Sequence, residues 1–314
     1  MTVNIDITKE LKAVEKLIKS DINKEKTILG LYNYIFKSDG KKIRSKLNLI
    51  ASSSSKNSDR YKLASIIELL HTATLVHDDV VDNASTRRGA ISVNSLWSNA
   101  HGVLIGDYIY SKAFMLMVEI GKKDILAELA DATNDISQGE LIQLDAISNI
   151  KISLNKLKKI SYFKTGRLFE ASAKTGAMLA GANKNFIKNI SESAKNIGIL
   201  FQIKDDLLDY SNSSKTGKQS FQDLKEGKIT YPFFFALKNS SQKEKKQLIS
   251  FLGNQRLNEK KALALISKLN GLIKTQQLAE KFYTSSINAA KTINNKFIRQ
   301  EMVELANIAL NREK

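Results

Sequence analysis

Cysteine is absent from the 314 residues. That excludes a disulfide framework, a thiol nucleophile and a Cys-ligated metal, and fits a reducing, cytoplasmic setting. Proline occurs once, at Pro232, and the 15 glycines are scattered. A sheet-rich fold with many tight turns needs more of both, so long helices are favoured. No apolar run approaches the length of about 18 residues that reads as a membrane span. The first residues, MTVNIDITKE, hold no basic segment followed by an apolar run, so no signal peptide is expected. Histidine is confined to His71, His77 and His101.

Positive charge is abundant, with a formal net of +17. Such a balance suits nucleic acid, an anionic membrane surface or anionic substrates. Only eight of the 49 basic residues are Arg, and aromatics make up 7%. A nucleic-acid surface more often interleaves Arg with aromatics on one element, so no nucleic-acid partner is expected. Most lysines read as solvated helix faces.

Apolar residues recur at helical spacing nearly throughout. The pattern predicts helices at 7–19, 23–37, 41–52, 59–83, 92–119, 123–148, 154–181, 185–212, 228–239, 242–253, 257–270, 273–291 and 294–311. Ser52–Ser55 and the stretch from Ser211 to Lys218 read as loops. With no Pro/Gly/Ser linker, one all-α domain spanning 1–314 with a central helical bundle is the simplest architecture.

One acidic signature occurs twice, as Asp78-Asp79-Val80-Val81-Asp82 and Asp205-Asp206-Leu207-Leu208-Asp209. On a helix the first and fifth positions share a face one turn apart. Three like charges in apolar company repel unless a cation sits among them. Carboxylates hold Mg²⁺, which in turn usually binds substrate phosphates. Two such clusters facing each other would clamp a diphosphate. A pair of solvated acidic helix ends explains the acids but not their neighbours. His71 lies seven residues before Asp78, on the same face; a single such His is usually a satisfied core residue. Arg87 and Arg88 follow the first motif on a loop, and adjacent guanidiniums can engage two phosphates. Lys41 and Arg44 open a helix after a turn, where backbone N–H groups suit an anion. Lys164, Lys218 and Lys228 are individually ordinary. Together these features point to two diphosphates and several Mg²⁺ at one cavity.

At this point the chain resembles the trans-isoprenyl diphosphate synthases. The resemblance rests on Asp39-Gly40-Lys41-Lys42-Ile43-Arg44-Ser45, Glu68-Leu69-Leu70-His71, the motif at 78–82 and Arg87-Arg88-Gly89. It continues through Gly106-Asp107-Tyr108, Gly139-Glu140-Leu141-Ile142-Gln143-Leu144, Lys164-Thr165 and Phe201-Gln202. The motif at 205–209, Gly217-Lys218, the 223–228 segment and Pro232 complete it. Asp39, Lys42 and Ser45 depart from the family's Gly, Arg and Pro. Lys204 stands where the family varies between apolar and basic residues, so pairing with an aspartate and pointing to solvent are both open.

The resemblance implies an isoprenoid synthase-type bundle of long helices around a central cavity. It implies an enzyme joining an allylic diphosphate to successive isopentenyl diphosphates. Asp78, Asp82 and Asp205 would be the principal ligands of three Mg²⁺ ions, helped by Asp79, Asp206 and Asp209. Arg87, Lys164 and Lys228 would grip the allylic diphosphate; Lys41, Arg44, His71 and Arg88 the isopentenyl diphosphate; Lys218 belongs to the substrate-binding set. Thr165 and Gln202 would offer oxygen dipoles to the developing carbon cation. A homodimer is implied by the same analogy, and contact with a membrane surface is an expectation for a greasy product.

Product length is expected to be read along the first motif helix, at Thr74, Leu70 and Ile67, the last about 16 Å from Asp78 at helical rise. Bulky aromatics four or five residues before the motif stop growth early in the family. Ala73 and Thr74 are small, and the segment is most similar to octaprenyl and related long-chain enzymes whose products are commonly quinone side chains. The expected product is therefore C35–C50, centred on C40. A C15–C20 synthase and the catalytic subunit of a heteromer are the alternatives. A terpene cyclase needs no second diphosphate site, and a non-catalytic subunit tends to lose aspartates or the Arg pair; all are retained here.

Overall fold

The fold was analysed in a computed structural model that describes residues 6–20, 22–37, 40–211 and 220–312. In chain order its helices are α1 (Ile7–Ile18), α2 (Lys26–Ile35), α3 (Ile43–Ala51) and α4 (Asp59–Val81). A two-strand hairpin follows, β1 (Thr86–Arg87) and β2 (Ala90–Ile91). Next come α5 (Val93–Leu96), α6 (Asn99–Ile120), α7 (Lys123–Leu144) and α8 (Leu154–Ser161). A π-helical turn, Tyr162–Gly166, precedes α9 (Arg167–Leu179) and α10 (Lys184–Leu208). The remainder is α11 (Gln222–Lys225), α12 (Tyr231–Lys238), α13 (Gln242–Phe251), α14 (Glu259–Lys268), α15 (Gly271–Lys291) and α16 (Lys296–Leu310). The expected all-α class is what the chain adopts.

Three local departures from the periodicity have physical causes. The helix expected over 92–119 breaks at Trp97 and restarts at Asn99, because the Ser98 side chain caps α6 by accepting from His101 N. The helix expected over 154–181 contains the π-turn. The loop expected after the first motif is a hairpin pairing Thr86 with Ile91 and Arg87 with Ala90. Its two turn residues, Arg88 and Gly89, both have positive φ, of 52° and 79°. That is the conformation two-residue hairpins demand, and Gly89 meets it without a Cβ penalty.

The chain divides into two compact units. The first holds residues up to Thr133 and Ala171–Ile190; the second holds Asn134–Glu170 and Ser191 onward. In the first unit α4 is central, with Leu63, Ile66, Ile67, Leu69, Leu70 and Ala73 fully buried. Arg60 makes two 2.8 Å bonds to the Glu10 carboxylate, tying α1 to α4. At Gly106 on α6 an added Cβ would lie 2.2 Å from His77 Nε2, so glycine there lets His77 close onto α6. His77 Nε2 then lies 3.2 Å from Val103 O. Asn48 on α3 donates to Ser172 O at 2.8 Å.

In the second unit Pro232 sits in the first turn of α12, where its missing N–H costs nothing. Tyr231 and Phe233 of that helix are fully buried. The Tyr231 hydroxyl meets Ser161 Oγ at 2.9 Å, and Ser193 Oγ donates to Ser286 O at 3.1 Å. A capping box at Ser241 and Glu244 starts α13.

Candidate active site

Both aspartate motifs close a long helix. Asp78 and Asp79 lie in the last turn of α4 and Asp82 caps it. Asp205 and Asp206 lie in the last turn of α10, and Asp209 follows its end. Neither last turn contains a basic residue. A helix C-terminus already carries partial negative charge, so carboxylates there are disfavoured unless a cation offsets them. The sequence therefore places six acids where the backbone itself repels them.

In the first unit the three aspartates have different surroundings. Asp79 is buried and receives Arg87 from the hairpin, with Nε 2.8 Å and Nη2 2.5 Å from Oδ1. Burial raises the Asp79 carboxyl above its ordinary range, against the pull of Arg87. Asp78 and Asp82 stay half-buried on one helix face. The other residues expected to hold a diphosphate cluster beside them. Arg44 Nη1 donates to His71 Nε2 at 2.9 Å. His71 titrates well below the usual imidazole range, first through burial and then through Arg44, Arg88 and Arg87. It is thus a neutral acceptor that holds Arg44 in place. Arg88 lies against Gly40, where an added Cβ would be 2.6 Å from its Nη1. Lys41 is exposed at the start of this segment.

The departures near the N-terminus have structural counterparts. Ser45 Oγ, buried, lies 2.9 Å from Ala64 O and 3.0 Å from Glu68 Oε2, joining α3 to α4. Lys42 adopts a left-handed conformation and pairs with Glu15. Asp39 and Lys218 lie outside the described residues.

In the second unit the π-turn carries Lys164 and Thr165. Such turns insert one extra residue per turn and are frequent at functional sites. Two glycines allow it to pack. A Cβ on Gly139 would lie 2.7 Å from Phe163 Cβ, and one on Gly198 would lie 2.6 Å from Gly166 Cα. The resulting close approach brings Thr165 Oγ1 to donate to Gln202 Oε1 at 2.7 Å. Gln202 Nε2 in turn donates to Asp206 Oδ1 at 3.0 Å. Gln202 therefore links the π-turn to the second motif, with its Oε1 taken by Thr165. Lys164 Nζ is held by Glu140 Oε2 at 2.8 Å and by Gln143 Oε1, both on α7. Lys228 Nζ meets Glu226 Oε2 at 2.7 Å.

The second motif is electrostatically crowded. Asp206 is buried and also accepts from Tyr231 N at 3.3 Å. Burial, then Asp223, drives its carboxyl well above the ordinary range. Asp209 accepts from Gln222 N at 2.9 Å through Oδ1, while its buried Oδ2 has no hydrogen-bond partner among the described residues. Burial and Asp223 push it up to about 8. Among the described residues Lys204 is not the partner of an aspartate; its Nζ lies 3.4 Å from Gln276 Oε1. The cation on Asp205 is Arg312, 2.7 Å away, which the sequence did not bring forward because nothing in its local pattern marks it.

Among the described residues, no three acidic or His side chains converge as a closed metal cage. Mg²⁺ is usually held by one or two carboxylates with water and phosphate completing the shell. The donor set here is hard oxygen throughout, and Asp209 Oδ2, which has no partner among the described residues, supplies an acceptor for a cation.

The Asp209 surroundings give a pH expectation. The folded chain keeps a proton there up to about pH 8, whereas an unfolded aspartate releases it near 3.8. This group's contribution to stability therefore falls as pH rises through that window. With chelator present, the melting temperature should fall from pH 5 to pH 8 more steeply for the wild type than for Asp209→Asn. Added Mg²⁺ should flatten the wild-type curve only. Parallel curves for both proteins would rule the assignment out.

Comparison with known proteins follows the same lines. Residues 25–269 match the Polyprenyl synthetase family. The octaprenyl diphosphate synthase of Escherichia coli is 31% identical over 99% of this chain and 98% of its own. The decaprenyl-diphosphate synthase of Dictyostelium discoideum is 36% identical over 100% of this chain and 70% of its own. A polyprenyl synthase from Caulobacter crescentus, solved with calcium and isoprenyl diphosphate, superposes with a TM-score of 0.92 at 29% identity, covering 100% of this chain and 99% of that one.

Proposed function

The chain belongs to the polyprenyl synthetase family, and from that membership we propose that it extends an allylic diphosphate with successive isopentenyl diphosphates to a long all-trans polyprenyl diphosphate, C35–C50 and centred on C40. The observation that carries this reading is the pair of carboxylate triads closing α4 and α10 against their own helix dipoles. The long-chain names of the relatives, and the small Ala73 and Thr74 beside the first motif, support the product class.

In the reaction the allylic C–O bond breaks, the diphosphate departs, and the isopentenyl double bond forms the new C–C bond. A proton then leaves, to the departed diphosphate. The chain's own contribution is charge, position and dryness. Asp78, Asp82 and Asp205 would hold Mg²⁺, three ions per site, with Asp206 and Asp209 helping and Asp79 acting through Arg87. Bound Mg²⁺ supplies Lewis-acid charge to the leaving diphosphate. Lys164, Lys228 and Arg87 add fixed positive charge at the same group, the electrostatic preorganisation that usually dominates such catalysis. Lys164 is pre-aimed by Glu140 and Gln143. Arg44, neutral His71, Arg88 and Lys41 hold the isopentenyl diphosphate, and His71 at its lowered pKa stays an acceptor for Arg44. Thr165 Oγ1 donates a hydrogen bond to Gln202 Oε1, which leaves the Thr165 oxygen lone pairs available to a developing cation.

The apolar stripe Leu104, Met115 and Val118 on α6 is exposed at 67%, 67% and 71%. Such a stripe on one helix face marks an association surface, and a two-fold homodimer through it is part of the proposal. Sedimentation velocity of Met115→Glu/Val118→Glu should show a monomer where the wild type is dimeric.

The activity is tested by incubating the purified chain with farnesyl diphosphate, isopentenyl diphosphate and Mg²⁺, and sizing the products by mass. Products of C35–C50 are expected. A main product of C15 or C20, or no product from the chain alone, would overturn the reading.

A further inference from the structure

The last turn of α16 ends at Leu310, and two residues later Arg312 reaches back into the second motif. Its Nη1 lies 2.7 Å from Asp205 Oδ1. Its guanidinium carbon stands 3.8 Å above the centroid of the Phe201 ring. Phe201 and Asp205 are four residues apart on α10, so one turn of that helix supplies both an aromatic face and a carboxylate. The Arg312 side chain is only 10% exposed. An arginine withdrawn from water to this degree is held by specific partners, not by chance contact.

We propose that Arg312 is an intramolecular counter-ion of Asp205 that a divalent metal has to displace, so that this arginine sets metal affinity at the second aspartate motif. This deepens the functional reading and rests on it in one respect, that Asp205 is a metal ligand. The geometry explains the direction of the effect. Asp205 Oδ1 is paired with the Arg312 charge at 2.7 Å, an ion pair whose geometry is not that of a hydrogen bond. A divalent ion approaching that carboxylate meets a fixed positive charge within bonding distance. When Arg312 leaves Oδ1, its aromatic seat on Phe201 retains it nearby, where a diphosphate oxygen can take the place of the carboxylate. Arg312 is therefore a positioning residue, acting through Asp205.

The test is direct binding of Mn²⁺ to the full chain by calorimetry, without substrate, for wild type, Arg312→Ala, Arg312→Lys and Asp205→Asn. Removing one adjacent positive charge should tighten Mn²⁺ binding in Arg312→Ala by roughly tenfold. Arg312→Lys, which keeps the charge but loses the planar stack on Phe201, should fall between. Melting in chelator checks that each variant folds, and Arg312→Lys carries the test if Arg312→Ala does not. Asp205→Asn should weaken binding. If Asp205→Asn weakens binding but neither Arg312 variant tightens it, the counter-ion proposal fails while the metal site stands. If Asp205→Asn binds Mn²⁺ as the wild type does, Asp205 is not a ligand and the functional reading of that residue fails with it.

Discussion

Asp78→Asn should lower turnover by about a thousandfold, the upper end of what losing one preorganised electrostatic group costs, while the protein stays folded. The substitution is nearly isosteric and keeps the end of α4 intact, but it removes one formal charge from the helix face shared with Asp82. Asp79→Asn should cost less. Its carboxylate is buried and committed to Arg87, so its loss frees the hairpin arginine before it touches the metal. The expected signature is therefore a split. Asp78→Asn depresses kcat with a raised Mg²⁺ requirement, and Asp79→Asn mainly raises KM for the allylic substrate. Steady-state kinetics over a Mg²⁺ series, with circular dichroism to confirm folding, reads both. Turnover of Asp78→Asn within tenfold of the wild type would remove Asp78 from the principal ligand set.

Ala73→Tyr should shorten the main product from the C35–C50 range to C15–C20. Ala73 is fully buried on α4. It lies one turn before His77, which packs on α6, so added bulk there meets a filled interior. Thr74 is half-buried and shares the face of Asp78. Its hydroxyl is used locally, donating to His71 O at 2.8 Å. Overpacking a core position typically costs about 1–3 kcal/mol, so Ala73→Tyr needs a companion less exposed to that penalty. Thr74→Phe is that companion, and it should shorten the product through the face that carries Asp78. Leu70 and Ile67, both fully buried further along the helix, would set the next limits, and Leu70→Ala should lengthen the product if the groove runs along that flank. Products of unchanged length in both Ala73→Tyr and Thr74→Phe would place the groove elsewhere.

Much of the site was legible before any coordinates. Both aspartate motifs were expected on helices, and both close one, because three acids in apolar company can be read against a period of 3.6 residues. His71 was read as sharing the Asp78 face, and it stands on α4 among the arginines. Other features were legible only as residue types. Lys164 and Thr165 read as an ordinary helical pair, since a π-turn arises from glycine contacts at 139 and 198 that are remote in sequence. Arg87 and Arg88 read as a loop because a two-residue hairpin is too short to show alternation. Lys204 was the cation that stood out near the second motif, yet Arg312 is the one on Asp205.

The sequence by itself determined the helical class, the ends of the long helices and the chemistry of the acid and base motifs. These depend on residues within a turn or two of one another, where spacing translates directly into a shared face. Only the tertiary structure decided which carboxylate meets which cation, which histidine is kept neutral and which acid holds its proton. Those outcomes follow from burial and from partners brought in from distant elements, such as Arg312 on Asp205 and Asp223 beside Asp206 and Asp209. Desolvation and close charge act over a few ångströms of space, and distance along the chain carries no record of them.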